Sequence, residues 1–143
     1  MGYEDTLAHV PLLAHLNKEE LQALAKGCRE GQFSAGTTLT SQGDTGVGLY
    51  ILTSGRVRIT QTQSPGGVEE ELGTAVAGDV LGEMALLDDL PRSATLTAID
   101  DVTALLLPVW GFRSTLQRHP DIALKLLRVL SRRLRQAENR LYD

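Results

Sequence analysis

Over residues 31–108 the apolar residues come in short runs, and glycine or proline keeps interrupting them. This rhythm constrains the fold more than any other feature. A helix needs ten or more residues to bury one stripe, whereas a strand needs only five or six. "GLYILTSG" reads as a buried strand ended by Gly55, and "VTALLLP" as another stopped by Pro108. "RVRITQT" alternates, with Val57 and Ile59 on one face and Arg56, Arg58 and Thr60 on the other. "SPGG", residues 64–67, is a turn from which "EEELGTAVAGD" returns. "SATLTAID" puts Ala94, Leu96 and Ala98 on one face. Most of the 14 glycines fall in this stretch. Many short strands with turns at this spacing predict a sandwich or barrel.

Helices flank it. Residues 2–29 read as helical, with Asn17 as an N-cap, Glu20 three residues on to complete a capping box, and Leu16 and Leu21 placed as a hydrophobic staple. Glu19 and Glu20 fall in the first turn, where the helix dipole favours carboxylates. Near the other end Pro120 suits a first helical turn. After it, Ala123, Leu127, Leu130, Leu134, Ala137 and Leu141 are spaced 4, 3, 4, 3 and 4, a heptad seam. Leu124, Leu126 and Val129 widen the apolar surface of the first half only. The seam fits either core packing or a contact between two copies. Lys125, Arg128, Arg132, Arg133, Arg135 and Arg140 fit a solvated face better than a nucleic-acid patch.

The 143 residues carry a net charge of −4, so no global basic field draws the chain to nucleic acid or anionic lipid. No run of 18 apolar residues and no signal peptide is visible. The single cysteine, Cys28, reads as a small buried hydrophobe and fits a reducing compartment. His9, His15 and His119 lack ligand spacing. Asp88 and Asp89 read as loop residues, with no nucleophile or metal cluster beside them, so no enzyme is expected and no metal.

The stretch "LGEMALLDDLPRSAT", residues 81–95, sets one Glu and one Arg nine residues apart in apolar surroundings. Such a pair is commonly a surface ion pair. Its flanks argue for an anion site instead. Arg92 supplies a planar fork suited to phosphate oxygens. Gly82 lets backbone approach closely, and residues 83–87 favour a helical turn with outward N–H groups. Ser93 and Ala94 add a hydroxyl and small-residue backbone. Glu83 is repelled by a phosphate but accepts from a sugar hydroxyl, so the segment reads as a cradle for a phosphorylated sugar. Ile59 and Leu72 are candidate walls for a base and ribose.

These residues resemble the phosphate-binding cassette of the cyclic-nucleotide-binding domain family, whose pattern is present whole in "LGEMAL" and "RSATLTA". A second family stretch is matched by "QGDTGVGLYILTSG", with Thr40 where an aliphatic residue is usual. The likeness covers nearly the entire chain and is nearest to the sensor domain of bacterial Crp/Fnr-type regulators. It implies one domain over residues 1–143: N-terminal helices (1–30), a β-jelly roll (31–108) and C-terminal helices (109–143), the last resembling a dimerisation helix. It further implies cytoplasmic location, a homodimer and a ligand, cAMP or cGMP. By the same resemblance Glu83 holds the ribose 2′-hydroxyl and Arg92 the cyclic phosphate. Gly82, Ala85 and Ala94 give backbone contacts, Ser93 a hydroxyl, and Met84 a wall. Serine rather than threonine at position 93 leans toward cAMP.

There are two departures. Family regulators continue into a helix-turn-helix DNA-binding domain, and these 143 residues carry none. The catabolite activator of this family also closes its site with a Thr-Ser pair on the long helix, where, counting without gaps from Arg92, this chain has Ala137 and Glu138. Arg135 and Glu138 are therefore the candidates to meet the base. The expected function is regulatory binding of a cyclic mononucleotide with output through the C-terminal helix. The alternatives are a nucleotide-independent scaffold or dimerisation module, and the sensor half of a transcription regulator.

Overall fold

The computed structural model describes residues 2–45, 47–88 and 90–142, with side chains as far as residue 139. It divides into two compact units, residues 28–109 and the helices on either side of them in sequence.

In residues 28–109 the strands are β1 (Arg29–Phe33), β2 (Thr38–Thr40), β3 (Gly48–Ser54), β4 (Val57–Thr62), β5 (Glu69–Ala75), β6 (Val80–Leu81), β7 (Thr95–Ala98) and β8 (Val102–Pro108). They form two antiparallel sheets, ordered β1-β8-β3-β6 and β2-β7-β4-β5. The chain changes sheet at every step except β4 to β5, the path of a jelly roll. The core lies between the sheets. One contributes Tyr50, Leu52, Val102, Ala104 and Leu106, and the other Leu39, Val57, Ala75, Leu96 and Ala98. Within β3, β7 and β8 these positions recur every second residue, as a pleated strand requires. Leu49, Ile51, Leu105 and Leu107, on the opposite face of β3 and β8, are buried as well. That is why both strands read as continuous apolar runs rather than alternating ones.

Gly55 makes the corner from β3 to β4 at φ 86°, and a Cβ there would strike the Asp101 carbonyl. The 64–67 turn is closed by Gly67 N–H donating to the Ser64 carbonyl at 2.8 Å. β4 departs from the expected alternation. A register shift between Ile59 and Thr60 leaves Thr60 buried, although the alternation of β4 assigned it to the outer face. β5 is an edge strand with Glu69, Glu70 and Glu71 exposed, and charge on an edge discourages pairing with another chain.

The helical unit opens with α1 (Tyr3–Leu7), a 3-10 turn (Pro11–Leu13) and α2 (Lys18–Ala25), not one continuous helix. The capping box at α2 is formed. Asn17 Oδ1 accepts from Glu20 N–H and Glu20 Oε1 from Asn17 N–H, both at 2.9 Å. Leu16 and Leu21 are both buried. α3 (Val109–Arg118) and α4 (Pro120–Tyr142) complete the chain. Gly27 and Gly111 meet where a Cβ on either would lie 3.6–3.7 Å from the other's Cα, an ordinary packing contact. On α4 the buried face is Ile122, Leu126 and Val129. The heptad seam lies elsewhere on the helix. Leu127 and Leu134 are about 60% exposed, Leu130 is half-buried, and the side chain of Leu141 lies outside the described residues. Among the described residues no helix is long and apolar enough to cross a membrane.

Candidate functional site

β6 ends at Leu81 and the chain turns at Gly82 with φ 81°, the left-handed region where glycine is at ease. A single 3-10 turn, Glu83–Leu86, follows. Leu86 is buried and anchors it, and Ala85 N–H donates to the Gly82 carbonyl at 3.0 Å. Glu83 is half-buried at the first position of the turn.

Arg92 reaches the same place from the other end of the segment. Its backbone is pinned by a two-way pair, Arg92 N–H to the Asp44 carbonyl and Gly43 N–H to the Arg92 carbonyl, each 2.8 Å. A bridge between Thr45 and Pro91 extends that pairing. The guanidinium sits so close to Gly82 that a Cβ on residue 82 would collide with Arg92 Nη1. This gives the glycine a second reason besides its φ angle. Arg92 Nη2 donates to the Gly48 carbonyl at the start of β3. Arg92 Nε is buried and has no hydrogen-bond partner among the described residues. Burial lowers the pKa of Arg92, and nearby Tyr50 works against that shift. Tyr50 is itself pushed up by burial, with Arg92 and Arg29 pulling the other way. A half-buried cation with a buried, unused donor is complementary to an anion.

A cavity of about 230 Å³ gathers Gly82, Met84, Ala85, Arg92 and Ser93 along its lining. The structure thus brings together five of the expected site residues. Ala94 is half-buried just past them. Ile59 joins the apolar core. Leu72 does not share its face: the cross-strand partner of Ile59 is Gly73, and Leu72 sits in the register shift, 53% exposed. The bulge, set by the hairpin, moves it off the wall. Arg135 and Glu138 are exposed on α4. Residues missed from sequence are Gly48, whose carbonyl holds Arg92, and Gly43 and Asp44, which pin its backbone. All three fall in or beside "QGDTGVGLY", a stretch legible as a motif but not as a partner of Arg92.

Residues 30–119 match the model of the cyclic nucleotide-binding domain. The chain belongs to the cyclic nucleotide-binding domain family. It is 34% identical over 140 residues to the CRP-like cAMP-activated global transcriptional regulator of Mycobacterium tuberculosis, a match covering 98% of this chain and 62% of that one. It is 35% identical over 128 residues to the cyclic AMP receptor protein of Thermus thermophilus, covering 90% of this chain and 59% of that one. Among solved structures it resembles the N-terminal domain of a transcriptional regulator from Streptomyces coelicolor, with a TM-score of 0.85, 36% identity, and coverage of 96% and 95%. The chain spans about three fifths of the length of these curated relatives.

Proposed function

We propose that this domain binds a cyclic mononucleotide, cAMP in preference to cGMP, and acts as a regulatory module rather than an enzyme. The observation that carries the reading is Arg92: a cation set against a side-chain-free Gly82, with a buried Nε that lacks a partner among the described residues. A cyclic phosphate satisfies Nε and offers a second oxygen to the fork, in a site that excludes bulk by having no side chain at position 82. Glu83, one residue along, accepts the ribose 2′-hydroxyl. The names of the Mycobacterium and Thermus relatives support cAMP as the ligand. Calorimetric titration of the chain with cAMP and cGMP tests this. Saturable cAMP binding, tighter than cGMP, is expected. No binding of either leaves a nucleotide-independent module of the same fold.

Output is assigned to α4. Leu127, Leu130 and Leu134 form a stripe separate from the buried face of that helix, and soluble monomers rarely leave such a stripe in water. We therefore propose a homodimer through α4, functioning as the sensing portion of a regulator. Leu134→Glu is expected to give monomers by light scattering, and a wild type already monomeric at tens of micromolar defeats the dimer. On chemical grounds Glu138, with Arg135 beside it on α4, is assigned to the base: a carboxylate accepts adenine's exocyclic amine and repels guanine's carbonyl. Glu138→Ala is expected to narrow the cAMP-to-cGMP affinity ratio, and an unchanged ratio removes that assignment.

A further inference from the structure

The arm that carries Arg92 and Ser93 leaves the sheet, and two glutamines hold it there. β7 pairs with β4 as far as Thr95 opposite Thr60. Continuing that antiparallel register would set Ser93 opposite Thr62. Thr62 is already taken. Its N–H donates to Gln42 Oε1 at 2.8 Å, and its carbonyl accepts from Gln42 Nε2 at 2.9 Å. The Gln42 carboxamide thus fills the edge of β4 as a strand neighbour would. Gln42 N–H also donates to Thr95 Oγ1 at 2.9 Å, at the point where the arm departs. The Ser93 carbonyl, turned away from the ladder, accepts from Gln61 Nε2 at 2.8 Å. With the Gly43–Asp44 backbone pair on Arg92, the arm is fixed at three successive points.

We propose that Gln61, supported by Gln42, is a positioning residue for the phosphate site. It fixes the Ser93 backbone, and through it the angle at which the Ser93 hydroxyl and the Arg92 fork meet one exocyclic phosphate oxygen. The inference rests on the phosphate-binding reading above. An arm free to rejoin the ladder would carry Ser93 toward Thr62 and away from the cradle. Left unblocked, that pairing is the continuation the β7–β4 register offers. Gln42 blocks it by occupying Thr62, and Gln61 supplies the alternative partner.

The test is calorimetric titration of the full chain with cAMP and with its two diastereomers bearing sulfur at one or the other exocyclic phosphate oxygen. Gln61→Glu keeps the size of the side chain but sets an acceptor against the Ser93 carbonyl. It is expected to weaken cAMP binding about ten-fold, the scale of one hydrogen bond in a charged site. It should also narrow the ratio between the diastereomers, while the melting temperature without ligand stays near wild type. Gln61→Lys, which again offers a donor, should restore most of the ratio. Wild-type-like binding by Gln61→Glu overturns the proposal. So does an equal loss for both diastereomers accompanied by a lower melting temperature, which would mark a merely structural residue. A wild-type chain that binds no cyclic nucleotide overturns this proposal together with the reading beneath it. Binding by wild type and Gln61→Glu alike overturns this one alone.

Discussion

Arg92 and Glu20 are charges drawn out of water, one in each unit, and their surroundings differ in kind. Glu20 is only 7% exposed, yet its carboxylate is answered: Lys125 Nζ sits 2.6 Å from Oε1, and Asn17 N–H donates to the same oxygen. Arg92 is answered on Nη2 by a carbonyl and left with a buried, unused Nε. Burial without full pairing is unfavourable, and a fold keeps it where something else supplies the partner. The satisfied charge ties helices together, whereas the unsatisfied one waits for a ligand. Burial alone therefore does not separate structural from functional ions here; the partner list does.

The comparison breaks most sharply at Arg92. Arg92→Ala is expected to cost about 2–5 kcal/mol of cyclic nucleotide binding, because a bound phosphate loses its counter-charge. Urea midpoints without ligand should barely move. Equal affinity in the variant would class Arg92 with Glu20 as structural.

Lys125→Ala should do the reverse. It leaves the Glu20 carboxylate buried without its cation, at a cost of about 2 kcal/mol, below the range for fully buried pairs because Lys125 is partly exposed. Nucleotide affinity should hold. The pair also has a pH signature. Burial raises the Glu20 pKa, but the hydrogen bonds from Lys125 and Asn17 N–H outweigh it, and the net shift is downward. A depressed carboxylate contributes stability above its unfolded pKa and loses it as pH falls through the folded one. Wild type should thus lose stability on acidification in that window, and Lys125→Ala should lose less. Parallel urea curves across the acid range would show that the pair contributes nothing.

Glu83→Gln sharpens the contrast by the smallest margin. Weakening a single hydrogen bond from a ribose hydroxyl is expected to cost about 1–2 kcal/mol. The 2′-deoxy analogue should lose less than cAMP itself, and calorimetry showing equal losses would place Glu83 outside the ribose contact.

What the sequence made legible follows from how local each signal is. Asn17 and Glu20 lie three residues apart, so their capping box was readable, and the cassette was readable because its residues lie within a dozen positions. The jelly roll was expected to begin at residue 31, and no strand was expected there, but β1 starts at Arg29; "REGQF" pairs on one side only and has little apolar alternation to mark it. β2 and β6, at three and two residues, are too short for a period to show. The displacement of Leu72 depends on where the hairpin places its bulge. The grip of Gly48 on Arg92 joins residues 44 apart, and no local pattern encodes a contact of that span.

The alternation of the chain between its two sheets has a consequence for synthesis. β1 finds its sheet neighbour only in β8, with Arg29 opposite Leu106. At roughly 5–20 residues per second a ribosome needs several seconds to make the intervening chain. Throughout that interval β1 has no strand to pair with, whereas Arg92, which binds the loop holding Asp44, is made before β8. Because β8 lies between β1 and β3, the first sheet closes only after β8 has emerged, while every residue that holds Arg92 is made before it.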